Sequence, residues 1–298
     1  MEFRTLNTFI KAANLQSFSK AAQELGYSQA AVTIQIKQLE QELGVHLFDR
    51  IGKQTVLTHQ GTVFYAHATA ILREISRARA AVSNDCDLNG CLTLGTIESI
   101  GAVLLPPLIE ELHRLYPNVK VRITLDSPEM LLNLMDKNAI DLVYLLDQKI
   151  YGNKWVKVLE EPENIVFISS PKHPLCALPS LTLAEAAAHP FLLTEKDASY
   201  RFILDQYFAS QGQKIEPFVE IGNTEFIIRL LKNNAGLSFL PEFAVKQEVD
   251  AGLLNILPVR DFSLRIWRQI FYHKDKWVTG EMDAFIRLAL NNEKKQRD

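Results

Sequence analysis

Two helices with built-in starts and stops follow one another between Ser17 and Gly44. Ser17 precedes FSKAAQEL and Gly26 follows it; Ser28 precedes QAAVTIQIKQLEQEL and Gly44 follows that. An N-cap serine offers its oxygen to a free backbone N–H of the first turn. A glycine just past the last turn takes the left-handed conformation that closes a helix at little cost. Only Tyr27 separates the first stop from the second start, so the helices must turn around a shared core. Phe18, Ala21, Ala22 and Leu25 face inward from the first, and Val32, Ile36, Leu39 and Leu43 from the second. An upstream helix presenting Phe3, Leu6, Phe9, Ile10 and Ala13 completes that core. LFDRIGKQTVLT reads as an extended pair with Gly52 and Lys53 at its tip.

This is the helix-turn-helix arrangement, in which the second helix lies in the major groove of DNA. Its outer face here is small and almost uncharged. Ala30 and Ile34 suit thymine methyl groups, while Gln29, Thr33 and Gln35 can hydrogen-bond bases or phosphates. Lys37 falls where a phosphate would position the helix. Arg50 and Lys53 on the hairpin can reach the DNA backbone or the adjacent minor groove. A helical bundle with a polar outer face would give the same pattern. Charge does not separate the two, because residues 1–58 hold six basic and five acidic side chains and the whole chain is −3. That net charge excludes wholesale coating of nucleic acid but not a local contact.

Residues 60–87 form one proline-free helical stretch with Phe64, Ala68, Ile71, Ile75, Ala78 and Val82 along a heptad seam. Such a seam needs a cover, either the same helix of a second chain or the chain's own domain. Past Asn89-Gly90 strands and helices alternate, in an α/β architecture of two lobes. CLTLGTI, VKVRITL and DLVYLL read as strands of the first lobe, with Val119, Val121, Ile123 and Leu125 on one face. NIVFISS, PFLLT, PFVEIGN and GLSFLP build the second, each run spaced from the next by loop or helix. LRIWRQIFYH and a helix from Thr279 find no partner there and return to the first. The expected divisions are 1–58, a linker over 59–88, and 89–298, the last split into 91–161 with 268–298 and 162–267.

No apolar run reaches the length of a membrane helix, and the start lacks a signal-peptide core, so a cytoplasmic protein without a membrane partner is expected. Cys86, Cys91 and Cys176 lack CxxC spacing and the histidines lack ligand spacing, so neither a metal nor a cofactor is expected. GLSFL lacks the second glycine of a nucleophile elbow, and no catalytic residues are assigned. The alternative is a solute-binding or enzymatic α/β domain behind an N-terminal interaction module.

The first 65 residues resemble the LysR-type transcriptional regulators. The match runs through Phe9, Ser17-Phe18-Ser19, Ala21-Ala22, Leu25, Ser28-Gln29, Ala31-Val32-Thr33, Gln35-Ile36, Leu39-Glu40, Leu43-Gly44, Leu47-Phe48, Arg50, Leu57-Thr58 and Gly61. It continues more loosely through Leu105-Pro106, Tyr116-Pro117, Ile140-Asp141-Leu142, His173-Pro174-Leu175 and Gly236 to Pro241. The resemblance implies an α/β multidomain chain: a winged helix-turn-helix, a coiled-coil linker helix, and two Rossmann-like lobes similar to type 2 periplasmic binding proteins. It also implies double-stranded promoter DNA as partner, a homodimer through the linker, a homotetramer, and contact with RNA polymerase. Ile34 stands where family members often carry a basic residue, and Thr33 where serine is usual.

In lobes of that kind a small-molecule effector sits at the carboxyl ends of strands. The residues there are Thr96, Glu98 and Ser99 after the first strand, Ser127, Thr194 and Ser199, and Thr224. In the family, positions like Ser99, Thr194 and Thr224 often touch effector; each also serves as a plain helix cap, and Ser127 before Pro128 suits capping. Helix starts favour a carboxylate or an amino-acid-like metabolite. Glu98 runs against an anion and is open to a cationic group, Arg201 or water. Ser199 stands where the peroxide-sensing branch of the family carries cysteine, so thiol sensing is not expected.

Overall fold

The computed structural model describes residues 2–51, 54–82 and 88–297. Gly52, Lys53 and Cys86 lie outside them, as do the side chains of Arg50, Ala78 and Val82. The chain divides into two compact units, Met1–Leu88 with Lys274–Ala284, and Asn89–His273 with Phe285–Asp298.

In the first unit α1 (Phe3–Leu15), α2 (Phe18–Leu25) and α3 (Gln29–Leu43) are followed by β1 (Phe48–Ile51), β2 (Gln54–Leu57) and α4 (His59–Val82). The caps are as the serines and glycines dictate: Ser17 accepts from Lys20 N and Ser28 from Ala31 N, while Gly26 and Gly44 each have φ 68°. β1 and β2 pair antiparallel, with Phe48 opposite Leu57. Glu40 fixes the approach to this hairpin, its Oε1 accepting from Leu47 N at 2.7 Å and Phe48 N at 3.2 Å. Thr58 Oγ1 donates to His46 O and accepts from Gly61 N. The core gathers Leu6, Phe9, Ile10, Ala12, Ala21, Val32, Ile36 and Leu39. Phe3 and Leu43, expected inward, are exposed. Each sits in a terminal turn of its helix, and Thr8 and Ala12 are buried in α1 instead.

In the second unit β3 (Cys91–Thr96), α5 (Glu98–Val103), α6 (Leu105–Leu115), β4 (Lys120–Leu125), α7 (Pro128–Asp136) and β5 (Leu142–Asp147) form the first lobe. β6 (Trp155–Ser169) leads to α8 (Leu183–Ala187), β7 (Leu192–Leu193), α9 (Ser199–Ser210), β8 (Val219–Glu220) and α10 (Thr224–Lys232). Then come β9 (Leu237–Pro241), α11 (Glu242–Asp250), β10 (Asn255–Ile256), β11 (Leu264–His273) and α12 (Gly280–Arg297). One sheet in the order β10-β6-β11-β5-β3-β4, with β9 also on β6, runs through both lobes. β3 pairs parallel with β4 and β5, whereas β11 pairs antiparallel with β5 and β6.

Two expectations change here. LRIWRQIFYH does have a partner in the second lobe: β11 pairs with β6 from Leu264 opposite Ile165 onward, while also flanking β5. The extra strand length at 155–164 is masked in the sequence by its four acidic and basic positions Lys157, Glu160, Glu161 and Glu163. The segment between β3 and β4 carries two helices, α5 and α6, which meet at Leu104 ahead of Pro106 and Pro107. Ile123 and Leu125 are exposed, because β4 is the edge of the sheet. DLVYLL is buried on both faces, as its unbroken apolar run requires.

Arg268 on β11 ties the sheet to α12. Its Nε donates to Glu163 Oε2 at 2.9 Å and its Nη2 to Glu293 Oε2 at 2.9 Å, with Nη1 also on Glu293, and all three side chains are buried.

Candidate functional site

The outer face of α3 follows from how its inner face packs. With Val32, Ile36 and Leu39 buried, Gln29, Ala30, Ile34 and Lys37 all turn to solvent. Ile34 is 55% exposed, an unusual position for a large aliphatic side chain in mid-helix. Thr33 is half-buried and its hydroxyl donates to Gln29 O at 2.9 Å. Gln35 is half-buried too, its Oε1 accepting from Thr8 Oγ1 at 2.7 Å. The structure therefore places Gln29, Ala30, Ile34 and Lys37 on one free face and turns Gln35 toward α1.

Along α4, Ala68 is buried, and Phe64 and Ile75 pack on the core of their own unit. The Phe64 ring meets Phe9 edge-on at 5.1 Å. Ile71 faces outward, with Val63 one half exposed earlier on the helix.

The second unit holds a cavity of about 400 Å³ at the carboxyl ends of its strands. Its wall is built from Ile97, Glu98 and Ser99 after β3, Leu125 to Pro128 after β4, and Leu146 at the end of β5. The opposite wall comes from Thr194, Glu195, Asp197 to Tyr200, Gly222 and Thr224. Six of the seven residues expected at the effector site line it. Thr96 does not: it is buried in the sheet, and its hydroxyl donates to Tyr144 O at 2.7 Å.

Glu98 and Thr224 face each other across the cavity. Glu98 Oε1 accepts from Thr224 N at 3.1 Å, and its Oε2 accepts from Thr224 Oγ1 at 2.6 Å. Glu98 thus occupies the first turn of α10, beside the Asn223 side chain that caps Phe226 N. Arg201 is not its partner; that buried guanidinium donates to Asp205 and Thr194 O and pairs with Glu220. Ser127 makes no side-chain cap: its hydroxyl turns to Asp126 Oδ1 at 3.5 Å, which also accepts from Ser127 N at 2.8 Å. Ser199 Oγ donates to Leu146 O at 3.1 Å.

Two polar atoms of this wall lack hydrogen bonds, Thr194 Oγ1 and Glu195 Oε2. The Tyr200 hydroxyl lies near Thr194 on the same wall. Burial pushes the Glu195 carboxyl above its ordinary range, and the nearby charges of Asp197, Glu98 and Glu220 push it further. Gly222 makes room for it: a Cβ there would stand 2.6 Å from Glu195 Oε2. Among the described residues, no group of three or more His, Cys, Asp or Glu could hold a metal ion. Cys91 is exposed, and Cys176 lies against Ser169 Oγ and Ser170 O, away from the cavity.

Residues 3–62 match the model of the bacterial regulatory helix-turn-helix proteins of the lysR family, and residues 87–293 match that of the LysR substrate binding domain. The chain belongs to the LysR-type transcriptional regulators. It is 33% identical to the HTH-type transcriptional regulator YwqM of Bacillus subtilis, over 97% of this chain and 98% of that one. The RuBisCO operon transcriptional regulator of Allochromatium vinosum is 26% identical, over 98% and 96%. Among solved structures, a full-length OxyR variant from Pseudomonas aeruginosa superposes with a TM-score of 0.60 at 22% identity, covering 97% of this chain and 94% of that one. Vibrio fischeri DarR, solved in complex with DNA, gives 0.53 at 17% identity, covering 97% and 98%.

This LysR-type regulator is accordingly a DNA-binding transcriptional regulator with an effector-binding domain, not an enzyme. Its partner is promoter DNA, and its ligand is a small molecule. No described helix is long and apolar enough to cross a membrane. Sequence reasoning missed Asp126, Glu195, Asp197 and Tyr200 in the cavity wall. The signal was present: Glu195 directly follows Thr194 and Asp126 directly precedes Ser127, two residues expected at the site.

Proposed function

We propose that this regulator reads its operator through Gln29, Ala30, Thr33, Ile34 and Lys37, and that an effector in the cavity between its lobes sets its output. The carrying observation is the cavity, walled on one side by residues 97–128 and on the other by 194–224. A ligand there touches both lobes at once, so it biases their separation through differential contact. Ser99, Ser127, Thr194, Ser199 and Thr224 supply the hydroxyls, and the helix starts supply oriented N–H groups.

The divisions 1–58, 59–88 and 89–298 assign one task to each segment. The outward row at Val63 and Ile71 supports pairing of two copies along α4, with a homotetramer as the working assembly. Gln35 acts by holding α3 against α1, and Arg50 and Lys53 reach the DNA backbone. Contact with RNA polymerase and residence in the cytoplasm follow from work on a promoter. A duplex selected from random DNA by the full-length protein tests this: its affinity changes when a metabolite occupies the cavity, and the change is lost in Ser99→Ala with Thr224→Val. Ligand-induced change that survives both substitutions would move the effector site elsewhere.

A further inference from the structure

The cavity is charged in one sense only. Glu98, Asp126, Glu195 and Asp197 line it, and among the described lining residues none is Lys, Arg or His. Lys196, on the same loop, is exposed and outside the wall. From the sequence alone, helix starts argue for a carboxylate ligand. In the structure those starts are already answered by the chain's own carboxylates: Glu98 on Thr224 at α10, and Asp126 on Ser127 N ahead of α7. An added anion would displace them or face them.

What the wall leaves unanswered is a donor. Thr194 is only 4% exposed, lines the cavity, and its Oγ1 has no partner. Beside it, Glu195 Oε2 is buried and equally unpartnered. A buried acceptor left unmade costs roughly 1–3 kcal/mol, so two adjacent ones mark a place shaped for something absent from the chain. A protonated amine brings three N–H donors and no acceptor. A bare metal ion fits less well, because the acidic groups do not converge as ligands, and 400 Å³ is the volume of a small organic molecule's site.

Resting on the assignment of the cavity as the effector site, we propose that the effector carries a protonated amine, held by the Glu195 carboxylate and the Thr194 hydroxyl. Asp197 adds to the field at that end. Gly222 keeps the carboxylate in place, since any side chain there would push it aside.

Thermal unfolding of the full-length protein tests this with putrescine and lysine, against succinate and neutral butanol. Near saturation the amines raise Tm by about 2–4 °C, while succinate and butanol do not. Glu195→Gln and Gly222→Ala, each first checked for native circular dichroism, lose most of that rise, and Asp197→Asn loses part. The exposed control Glu216→Gln keeps it. Absence of any shift with amines overturns the ligand class. A succinate shift that Thr224→Val abolishes, with amines silent, overturns it while leaving the cavity as the effector site. An amine shift undiminished in Glu195→Gln and Asp197→Asn overturns the cavity assignment itself.

Discussion

Glu98 accepts two hydrogen bonds from Thr224, one from its backbone N–H and one from its hydroxyl. The two residues lie 126 positions apart and open different helices on opposite walls of the cavity. A carboxylate over a helix start gains both charge-assisted hydrogen bonds and the positive end of the helix dipole. Glu98 therefore acts as a strut across the cavity, at the helix start that an anionic group would otherwise take. Glu98→Ala is expected to lower stability by about 1–2 kcal/mol in urea denaturation, for a half-buried group still reached by solvent. It also frees the start of α10, so sulfate should raise the Tm of the variant more than that of the parent. Equal response to sulfate in both proteins would show that Glu98 does not hold that position.

Glu195 gives a pH dependence with a definite sign. Its folded carboxyl is held above the ordinary range, chiefly by burial and then by Asp197, Glu98 and Glu220. A carboxyl raised in the folded state binds its proton more tightly there than in the unfolded chain. Folding is then penalised once the unfolded group ionises, above about pH 4.3, and the penalty is complete above the raised pKa. Glu195→Gln should be more stable than the parent at pH 7.5, with the difference closing as the pH falls to about 4. Thermal melts across that range check it. A constant difference at all pH values would mean that the gain is not one of charge.

Arg268 binds Glu163 and Glu293 together inside the second unit. Removing only the cation leaves two carboxylates buried in mutual repulsion. Arg268→Met is expected to cost about 3–5 kcal/mol, the range for breaking a buried pair from one side. Adding Glu163→Gln and Glu293→Gln should recover much of that loss. Urea denaturation of the single and triple variants decides whether the cluster acts through charge or through the packing of the arginine stem.

The helix-turn-helix was legible because its signals are local: Ser17, Gly26, Ser28 and Gly44 act within one turn of themselves. The cavity's hydroxyl residues were legible from their places at strand ends, as Ser99 and Thr194 illustrate. The acidic wall was not, because Asp126, Glu195 and Asp197 in loops look like ordinary solvated carboxylates: Asp126 and Asp197 stay exposed, and only the fold shows that all three line one cavity and that Glu195 is partly buried there. β6 escaped for a related reason: Glu160, Glu161 and Glu163 interrupt its apolar pattern, yet Glu163 is buried against an arginine that enters 105 residues later. Phe3 shows the limit in the other direction, since helical spacing says which face a side chain takes but not whether a neighbour extends that far.

Gly61 carries a close approach within the first unit. A Cβ at that position would stand 2.0 Å from Leu47 O, a backbone atom that cannot swing away. The first turn of α4 lies against the strand entry there, held by Thr58 N on Leu47 O at 3.0 Å. Gly61→Ala is expected to destabilise the first unit by about 2–3 kcal/mol through overpacking. DNA affinity should fall with it, while ligand-induced change in the second unit's fluorescence persists. A variant with parental stability would show that α4 can shift outward without loss.

Ile34 and Lys37 lie one turn apart on the exposed face of α3 but differ in what they can recognise. Ile34 offers only apolar contact, which on a base edge means a thymine methyl group. Ile34→Ala should reduce discrimination between the selected duplex and random DNA by about 1–3 kcal/mol. Affinity for random DNA should stay nearly unchanged. Lys37 offers charge, which phosphates present at every sequence. Lys37→Ala should weaken both duplexes alike and lower the slope of log affinity against log salt by about one unit. Fluorescence anisotropy across a salt series separates the two effects in one experiment. If Ile34→Ala weakens both duplexes equally, its side chain packs against the DNA backbone and the operator is read elsewhere on α3.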